Sequence, residues 1–326
     1  MTKIAETGLI KRLLTKLGVG GVLALSAVMV HAADTVRFAM PSQGWWPTTV
    51  VTAADRLGLF AKEGIKPEIT VYKGGGPAFE ALAADAADMT CNPAYLVALG
   101  QGKGVRTRIV ATGSVIYAGW HLIVPSKSSI KSVADLAGKK VGITANGSIS
   151  DFLALWAAAN NKVEFTRVPI GAGGLVPGLR SGNIDAAVVF SPLSLDVLSK
   201  GIGRSLVSFG QAVPADLNAG WIATEKLTAA NPKAVQGSVN ALVGSLQYLQ
   251  KNRDYAIKLI SELNGIPAEI ATKEYEASIL TASADGAVDP QAVNRSLAMG
   301  KLGGLSGLSP ADSTFVTTFK AHATQP

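Results

Sequence analysis

Residues 36–72 read VRFAMPSQGWWPTTVVTAADRLGLFAKEGIKPEITVY, and they set the architecture of the chain. Residues 36–40 and 69–72 are apolar runs that predict two β-strands. Between them, Val50, Val51, Ala54 and Leu57 recur on one helical face, and Pro47 suits a first helical turn. A strand, a helix and a second strand with short links predict a parallel sheet covered by helices.

The same alternation continues along the chain and predicts a second α/β unit from about residue 120. The predicted strands are residues 36–40, 69–72, 108–112, 121–124, 140–143, 165–170, 186–190, 204–209 and 220–223, and later helices are predicted near residues 232–249, 254–264, 268–280, 290–299 and 310–319. The chain leaves one unit, builds another and returns. We expect lobe 1 at residues 33–118 plus 217–326, lobe 2 at 119–216, and a ligand crevice between them.

Composition excludes several classes of protein. Hydrophobic residues make up 48% of the 326 and charged residues 16%, which is too apolar for a disordered chain. Of the net charge of +7, +3 lies in the first sixteen residues, and no basic run remains beyond residue 16, so we expect no nucleic-acid partner. A single cysteine, Cys91, excludes an intrachain disulfide and a cysteine-rich zinc site, and the three histidines are scattered. We expect no metal and no cofactor.

The first 32 residues predict a cleavable signal peptide. A basic start is followed by an apolar run at residues 17–30, about fourteen residues long, whereas a membrane-spanning helix needs about twenty. Val30 and Ala32 place small residues at the −3 and −1 positions of a cleavage site. The alternative is an uncleaved anchor; lipidation is excluded because no cysteine lies near this site. The pattern predicts export to the periplasm.

Candidate ligand-binding residues lie mainly in loops that follow predicted strands. Such loops gather at the carboxyl ends of parallel strands, where helix N-termini favour an anion. The candidates are Ser42, Trp45, Trp46, Asn92, Thr112, Trp120, Asn146, Gly147, Ser148, Phe190, Ser191 and Trp221. We expect N–H groups near residues 146–150 to hold an anionic head and tryptophans to cover an apolar body. The alternatives are that Asn92, Ser148 and Ser191 are ordinary helix caps and that the tryptophans only pack the lobes.

Motifs typical of enzymes are missing. The glycines at residues 74–76 are not followed by the Lys-Ser/Thr of a phosphate-binding loop, and Val176 replaces the third glycine of a dinucleotide fingerprint at residues 171–176. There is no Gly-x-Ser-x-Gly elbow to accompany a histidine. His121 fits a hydrogen-bonded strand histidine better than a catalytic base. We expect no catalytic residue.

Three motifs carry a resemblance to a known family. Residues 54–65 (ADRLGLFAKEGI) resemble the "lGlFakeGi" pattern of periplasmic solute-binding proteins of ABC importers, in the branch of sulfonate, taurine and nitrate binders and thiamine-pyrimidine-synthase-like proteins. Residues 135–143 (DLAGKKVGI) and 179–186 (LRSGNIDA) resemble two further motifs of that branch. The resemblance implies a type-II periplasmic binding protein fold, an α/β fold whose two lobes each hold a mainly parallel sheet flanked by helices and are joined by a two-strand hinge. The pyrimidine synthases carry a cysteine-rich motif that this chain lacks.

The resemblance implies an extracytoplasmic solute-binding subunit of an ABC importer rather than an enzyme. We expect a monomer that captures a small organic anion, a sulfonate or carboxylate with an apolar or aromatic body. It would deliver this solute to a permease and its ATPase, touching that membrane complex only peripherally. The alternatives are a binder of a pyrimidine-like or other neutral heterocycle, a sensor subunit on the same scaffold, and an extracytoplasmic enzyme.

The signal-peptide hypothesis predicts the start of the mature chain. Because cleavage is expected after Ala32 or one residue later, mass spectrometry of the exported protein should show a first residue of Ala33 or Asp34. Membrane-bound protein that retains Met1 would contradict cleavage.

Overall fold

The computed structural model describes residues 33–322 and 324–326. The predicted signal peptide therefore lies outside the described residues. Within the described part of the chain, no helix is both long and apolar enough to cross a membrane. No group of three or more His, Cys, Asp or Glu side chains in these residues could hold a metal ion.

Two five-stranded sheets form the framework. The strands are β1 (Asp34–Met40), β2 (Ile65–Val71), β3 (Met89–Asn92), β4 (Thr107–Ser114), β5 (His121–Pro125), β6 (Lys140–Ile143), β7 (Thr166–Pro169), β8 (Ala186–Val189), β9 (Gly203–Ser208) and β10 (Ala219–Thr224). The first sheet has the order β2-β1-β3-β10-β4, and the second has the order β7-β6-β8-β5-β9. In the first sheet β10 runs antiparallel to both its neighbours, whereas β2, β1 and β3 are parallel.

Helices cover these sheets and form the C-terminal part of the chain. They are α1 (Trp46–Arg56), α2 (Leu59–Lys62), α3 (Gly75–Ala83), α4 (Ala94–Gly102), α5 (Ile149–Asn161), α6 (Ala172–Ser181), α7 (Leu193–Ser199), α8 (Phe209–Ala212), α9 (Glu225–Ala230), α10 (Pro232–Lys251), α11 (Arg253–Asn264), α12 (Ala268–Glu274) and α13 (Pro290–Leu302). A 3₁₀ helix spans Val133–Leu136, and a π-helical turn, Tyr275–Ile279, continues α12. The apolar face of α10, with Val235, Val239, Leu242, Leu246 and Leu249, is buried, and Asn231 caps this helix by accepting a hydrogen bond from the Ala234 N–H.

Two segments join the sheets, one between β4 and β5 and the other between β9 and β10. They are tied together where the Tyr117 hydroxyl donates to the Asp216 carboxylate, at 3.2 and 3.1 Å from its two oxygens. Both residues are buried. Burial raises the pKa of Asp216 to about 7, although the hydrogen bond from Tyr117 lowers it.

One predicted helix is wrong, and so is the helix-cap alternative for two polar residues. Residues 310–319 do not form a helix: beyond the 3₁₀ turn Ala311–Ser313 the chain has no regular element, and Ile109 and Phe315 form an isolated parallel bridge. Asn92 does not cap α4 and Ser191 does not cap α7, since neither helix start has a side-chain cap. Asn92 is instead the last residue of β3, and its side chain bonds to Gly75 and Thr90.

Cys91 is fully buried in β3, where it pairs with Trp221 of β10. Burial raises the pKa of the Cys91 thiol well above its ordinary value. Cys91 is therefore an apolar packing group.

Candidate ligand-binding cleft

A cavity lies where loops from the two sheets meet. Its enclosed volume is about 20 Å³, roughly the space of one water molecule, so the two sides must move apart to admit an organic solute. Its lining residues come from loops and helix starts that follow strands of both sheets: Pro41, Ser42, Trp45, Lys73, Gly74, Gly75, Asn92, Trp120, Thr144, Ser148, Ile149, Ala172 and Phe190. The cavity therefore occupies the position predicted for the ligand crevice.

Glycines allow the two sides of the cavity to approach at backbone distance. Helix α3 begins at Gly75, and its start lies against the loop between β6 and α5. A Cβ atom on Gly76 would lie 2.3 Å from the carbonyl oxygen of Asn146, and one on Gly74 would lie 2.8 Å from the Cβ of Ala145. Both distances are shorter than van der Waals contact. Only glycine fits this approach without movement of the opposite loop.

Hydroxyl groups organise the start of α5 on the other side. Ser148 is the N-cap, as predicted, and its Oγ accepts from the Asp151 N–H at 3.3 Å. The Thr144 hydroxyl donates to the same Oγ at 2.9 Å, and Ser150 Oγ accepts from the Thr144 N–H at 2.8 Å. These bonds fix the loop in which Thr144 and Ser148 line the cavity.

Two of the N–H groups predicted to bind an anion instead donate hydrogen bonds within the loop. The Gly147 N–H donates to the Asp151 carboxylate at 2.8 Å, and the Ser148 N–H donates to the Ala145 carbonyl at 3.2 Å. A ligand can therefore not rely on these two groups. The N–H groups of Ile149 and Ser150, in the first turn of α5, precede the intrahelical hydrogen bonds.

Aromatic side chains form one wall of the cavity. The rings of Trp45 and Trp120 meet edge to face at 6.4 Å, and those of Trp120 and Phe190 lie 5.2 Å apart. All three are buried. Trp46 and Trp221 form a second edge-to-face pair and do not line the cavity. The wall can cover an apolar or aromatic body.

The structure brings half of the predicted site residues together. Ser42, Trp45, Asn92, Trp120, Ser148 and Phe190 line the cavity, whereas Trp46, Thr112, Gly147, Ser191 and Trp221 do not. Asn146 lines a neighbouring open groove that shares Lys73 and Thr144 with the cavity. Sequence reasoning missed Lys73 and Thr144, although Thr144 directly follows β6 and Lys73 comes two residues after the end of β2. Whether any of these residues contacts a solute stays a prediction.

The cavity lining contains a positively charged side chain and no negatively charged one. No Asp or Glu is among its lining residues. Lys73 is exposed, and no ion pair involves it in the part of the chain that the structure describes. The nearest carboxylate of the α5 start, Asp151, is paired with Arg167. A negative solute would meet no repulsive carboxylate in the lining.

Two buried polar atoms of the lining residues lack a hydrogen-bond partner among the described residues. They are the indole N–H of Trp45, which is a donor, and Oδ1 of Asn92, which is an acceptor. Both side chains are at least 95% buried. An unpaired buried polar group costs about 1–3 kcal/mol, so a solute that pairs with it gains affinity.

A buried carboxyl group lies where α12 packs against α7. Both oxygens of Glu274 lack a well-formed hydrogen bond within the described residues, although the hydroxyls of Ser191 and Ser278 lie beside it and contact each other at 3.1 Å. Burial raises the pKa of Glu274 to about 7, against the smaller lowering effect of the two hydroxyls. Ser191 thus belongs to this contact rather than to the cavity.

Comparison with models of known protein families identifies the family of this chain. The model of the family described as NMT1/THI5 like matches residues 47–256, more than half of the chain. The chain belongs to the NMT1/THI5-like family. The predicted family resemblance is confirmed.

Individual relatives agree with this family. A Brucella abortus (strain 2308) protein assigned as a binding protein is 26% identical over 239 residues, which cover 72% of each chain. The structure of the alkanesulfonate-binding protein SsuA from Xanthomonas axonopodis pv. citri, bound to MOPS, superposes with a TM-score of 0.76 at 17% identity, covering 88% of this chain and all of that one. The desulfurization enzyme DSZB superposes with a TM-score of 0.63 at 18% identity, covering 88% and 97%.

These comparisons confirm the predicted fold class. This NMT1/THI5-like chain has the periplasmic binding protein fold, with two helix-flanked sheets. Its likeness to DSZB, at 18% identity, shows the shared fold alone. The Brucella relative is assigned as a binding protein, which agrees with the expectation of a binding protein rather than an enzyme.

The buried Glu274 predicts how stability depends on pH. An exposed glutamate titrates near 4.5, so between pH 4.5 and about 7 the folded chain keeps a proton that the unfolded chain releases. The free energy of unfolding should therefore fall as pH rises through this range, by on the order of 3 kcal/mol, and level off above it. Melting temperatures measured from pH 5 to 8 should show a smaller fall for Glu274→Gln than for the wild type.

Glu269→Gln is the matched control, because Glu269 is on the same helix but exposed, and its pKa is lowered by Lys273. Its melting temperature should follow the wild-type curve. Some dependence of the melting temperature on pH should remain in every variant, because the pKa of Asp216 is also raised, to about 7. If the melting temperature of Glu274→Gln falls with pH as steeply as that of the wild type, Glu274 is already ionised in the folded protein over this range.

Proposed function

We propose that this protein is the solute-binding subunit of an ABC importer and that it captures a small organic anion, a sulfonate or carboxylate with an apolar or aromatic body. The proposal rests chiefly on one observation: the lining of the cavity holds Lys73 without a carboxylate partner and the unpaired indole N–H of Trp45, but no Asp or Glu. Such a lining favours a negative group over a neutral or positive one.

Three kinds of donor serve the anionic head. The Trp45 N–H supplies a buried hydrogen bond, and burial makes a bond to a charged acceptor stronger than it would be in water. The first-turn N–H groups of α5 carry the partial positive charge of a helix N-terminus. Lys73, at the edge that the cavity shares with the open groove, adds a mobile ammonium group.

The wall formed by Trp45, Trp120 and Phe190 suits the body of the solute. Offset or edge-to-face contact with these rings favours an aromatic or extended aliphatic group over a second charged group. The SsuA structure that this chain resembles holds MOPS, a sulfonate with an organic body, and this supports the same class of solute here.

A neutral heterocycle such as a pyrimidine is the second candidate. The unpaired Oδ1 of Asn92 would accept a ring or amino N–H, and the aromatic wall would stack on the ring. The unpaired Lys73 favours the anion instead, because a neutral ring gives this ammonium group no counter-charge.

The remaining parts of the proposal concern location and partners. The chain acts in the periplasm after removal of residues 1–32, as a monomer. Residues 33–118 plus 217–326 form one lobe and residues 119–216 the other, and the segments tied by Tyr117 and Asp216 act as the hinge. The closed protein delivers its solute to a membrane permease driven by an ATPase.

Thermal shift and titration calorimetry test the choice of solute. Of alkanesulfonates, aromatic sulfonates, aliphatic and aromatic carboxylates, pyrimidines and polyamines, only the anions should raise the melting temperature. Trp45→Phe keeps the ring but loses the N–H, and it should weaken sulfonate binding about tenfold or more, as expected for a hydrogen bond to a charged group. Lys73→Gln should weaken it up to about fivefold, since an exposed ion pair contributes up to about 1 kcal/mol.

Lys66→Gln is the control for Lys73, because Lys66 is an exposed lysine on β2 that lies outside the cavity lining. It should bind like the wild type. Stabilisation by pyrimidines or polyamines without any anion would overturn the proposed solute class, and conversion of a bound solute to a product would overturn the binding role.

A further inference from the structure

We propose that the solute carries, in addition to its anionic head, a neutral hydrogen-bond donor such as a hydroxyl or aryl N–H. This group donates a hydrogen bond to Oδ1 of Asn92. This inference rests on the proposed function, since it adds a second recognition point to the same cavity. The solute class becomes a hydroxylated or similarly donor-bearing organic sulfonate or carboxylate.

The orientation of the Asn92 amide follows from its partners. Its Nδ2 donates to the Gly75 carbonyl at 3.3 Å and to Thr90 Oγ1 at 3.2 Å. The Thr90 hydroxyl donates its hydrogen to the Ala39 carbonyl at 2.6 Å. It can therefore only accept a hydrogen bond from Asn92. A flipped amide would face two acceptors with an oxygen. The network therefore assigns Oδ1 as the atom without a partner.

The position of Asn92 makes this oxygen a recognition group. Asn92 is fully buried at the end of β3, and it lines the cavity beside Gly75 and opposite Ser148. A Cβ on Gly75 would lie 2.3 Å from Oδ1. The oxygen thus lies against Gly75, and only glycine leaves room for it there, since any larger residue would overlap it.

The donor on the solute is neutral rather than cationic. A buried ammonium group needs a carboxylate partner, and none is among the lining residues. Lys73 at the edge of the cavity would repel it. A hydroxyl or aryl N–H satisfies Oδ1 without adding a charge, and a methyl group of the same size leaves the oxygen unpaired.

Isosteric pairs of probes test this inference by titration calorimetry on the exported protein, freed of carried-over solute by reversible unfolding. One pair is 4-hydroxybenzenesulfonate and 4-methylbenzenesulfonate, and the other is 3-hydroxypropanesulfonate and butanesulfonate. In at least one pair the wild type should bind the hydroxyl member about tenfold more tightly. Asn92→Leu should abolish that preference, and Asn294→Leu, which changes an exposed asparagine of α13 outside the cavity lining, should keep it.

Each outcome has a defined meaning. Equal affinities within both pairs, or tighter binding of both methyl members, would overturn the role of Asn92 and leave the proposed anion binding intact. If none of the four probes binds, the sulfonate proposal fails, and this inference fails with it. If Asn92→Leu does not fold, the wild-type comparison of the pairs still decides, and Thr90→Val, which releases the amide from its orientation, should reduce the preference.

Discussion

The backbone contact between the start of α3 and the loop before α5 is the constraint on which the cleft depends. At Gly74 and Gly76 the two sides approach so closely that a single added carbon would meet the opposite chain. Protein interiors at normal packing density cannot absorb such an overlap without moving backbone. The position of Thr144 and Ser148 relative to Asn92 and Trp45, and hence the shape of the cavity, follows from this contact.

Around that contact, the polar groups fall into two kinds. The hydroxyls of Thr144, Ser148 and Ser150 form hydrogen bonds with one another and with the start of α5. They therefore stabilise the loop and are not free to bind a ligand. The indole N–H of Trp45 and Oδ1 of Asn92 have no such partner. Recognition therefore falls to a few atoms held by a satisfied network, against a wall of aromatic rings.

Much of the fold could be predicted from the sequence because its signals are local. Apolar runs and helical periodicity located most strands and α10, and Asn231 and Ser148 were recognisable caps. Residues 310–319 could not be placed, because there the chain pairs with Ile109, some two hundred residues away, against its helical pattern. Asn92 and Ser191 look like caps in sequence, but their partners Thr90 and Ser278 are chosen by tertiary packing. The same limit explains why Trp45 could not be told from Trp46, since adjacent residues of one loop differ only in the direction that the fold gives them.

Small-angle X-ray scattering of the wild type and of Gly76→Ala, with and without saturating 4-methylbenzenesulfonate, tests whether the solute is held by closure of the lobes through the glycine contact. The radius of gyration should fall on binding in the wild type and in Gly173→Ala, a control glycine with open space around its Cβ position, and should fall less in Gly76→Ala. An unchanged radius in the wild type at saturation, or equal compaction in Gly76→Ala, would contradict this account.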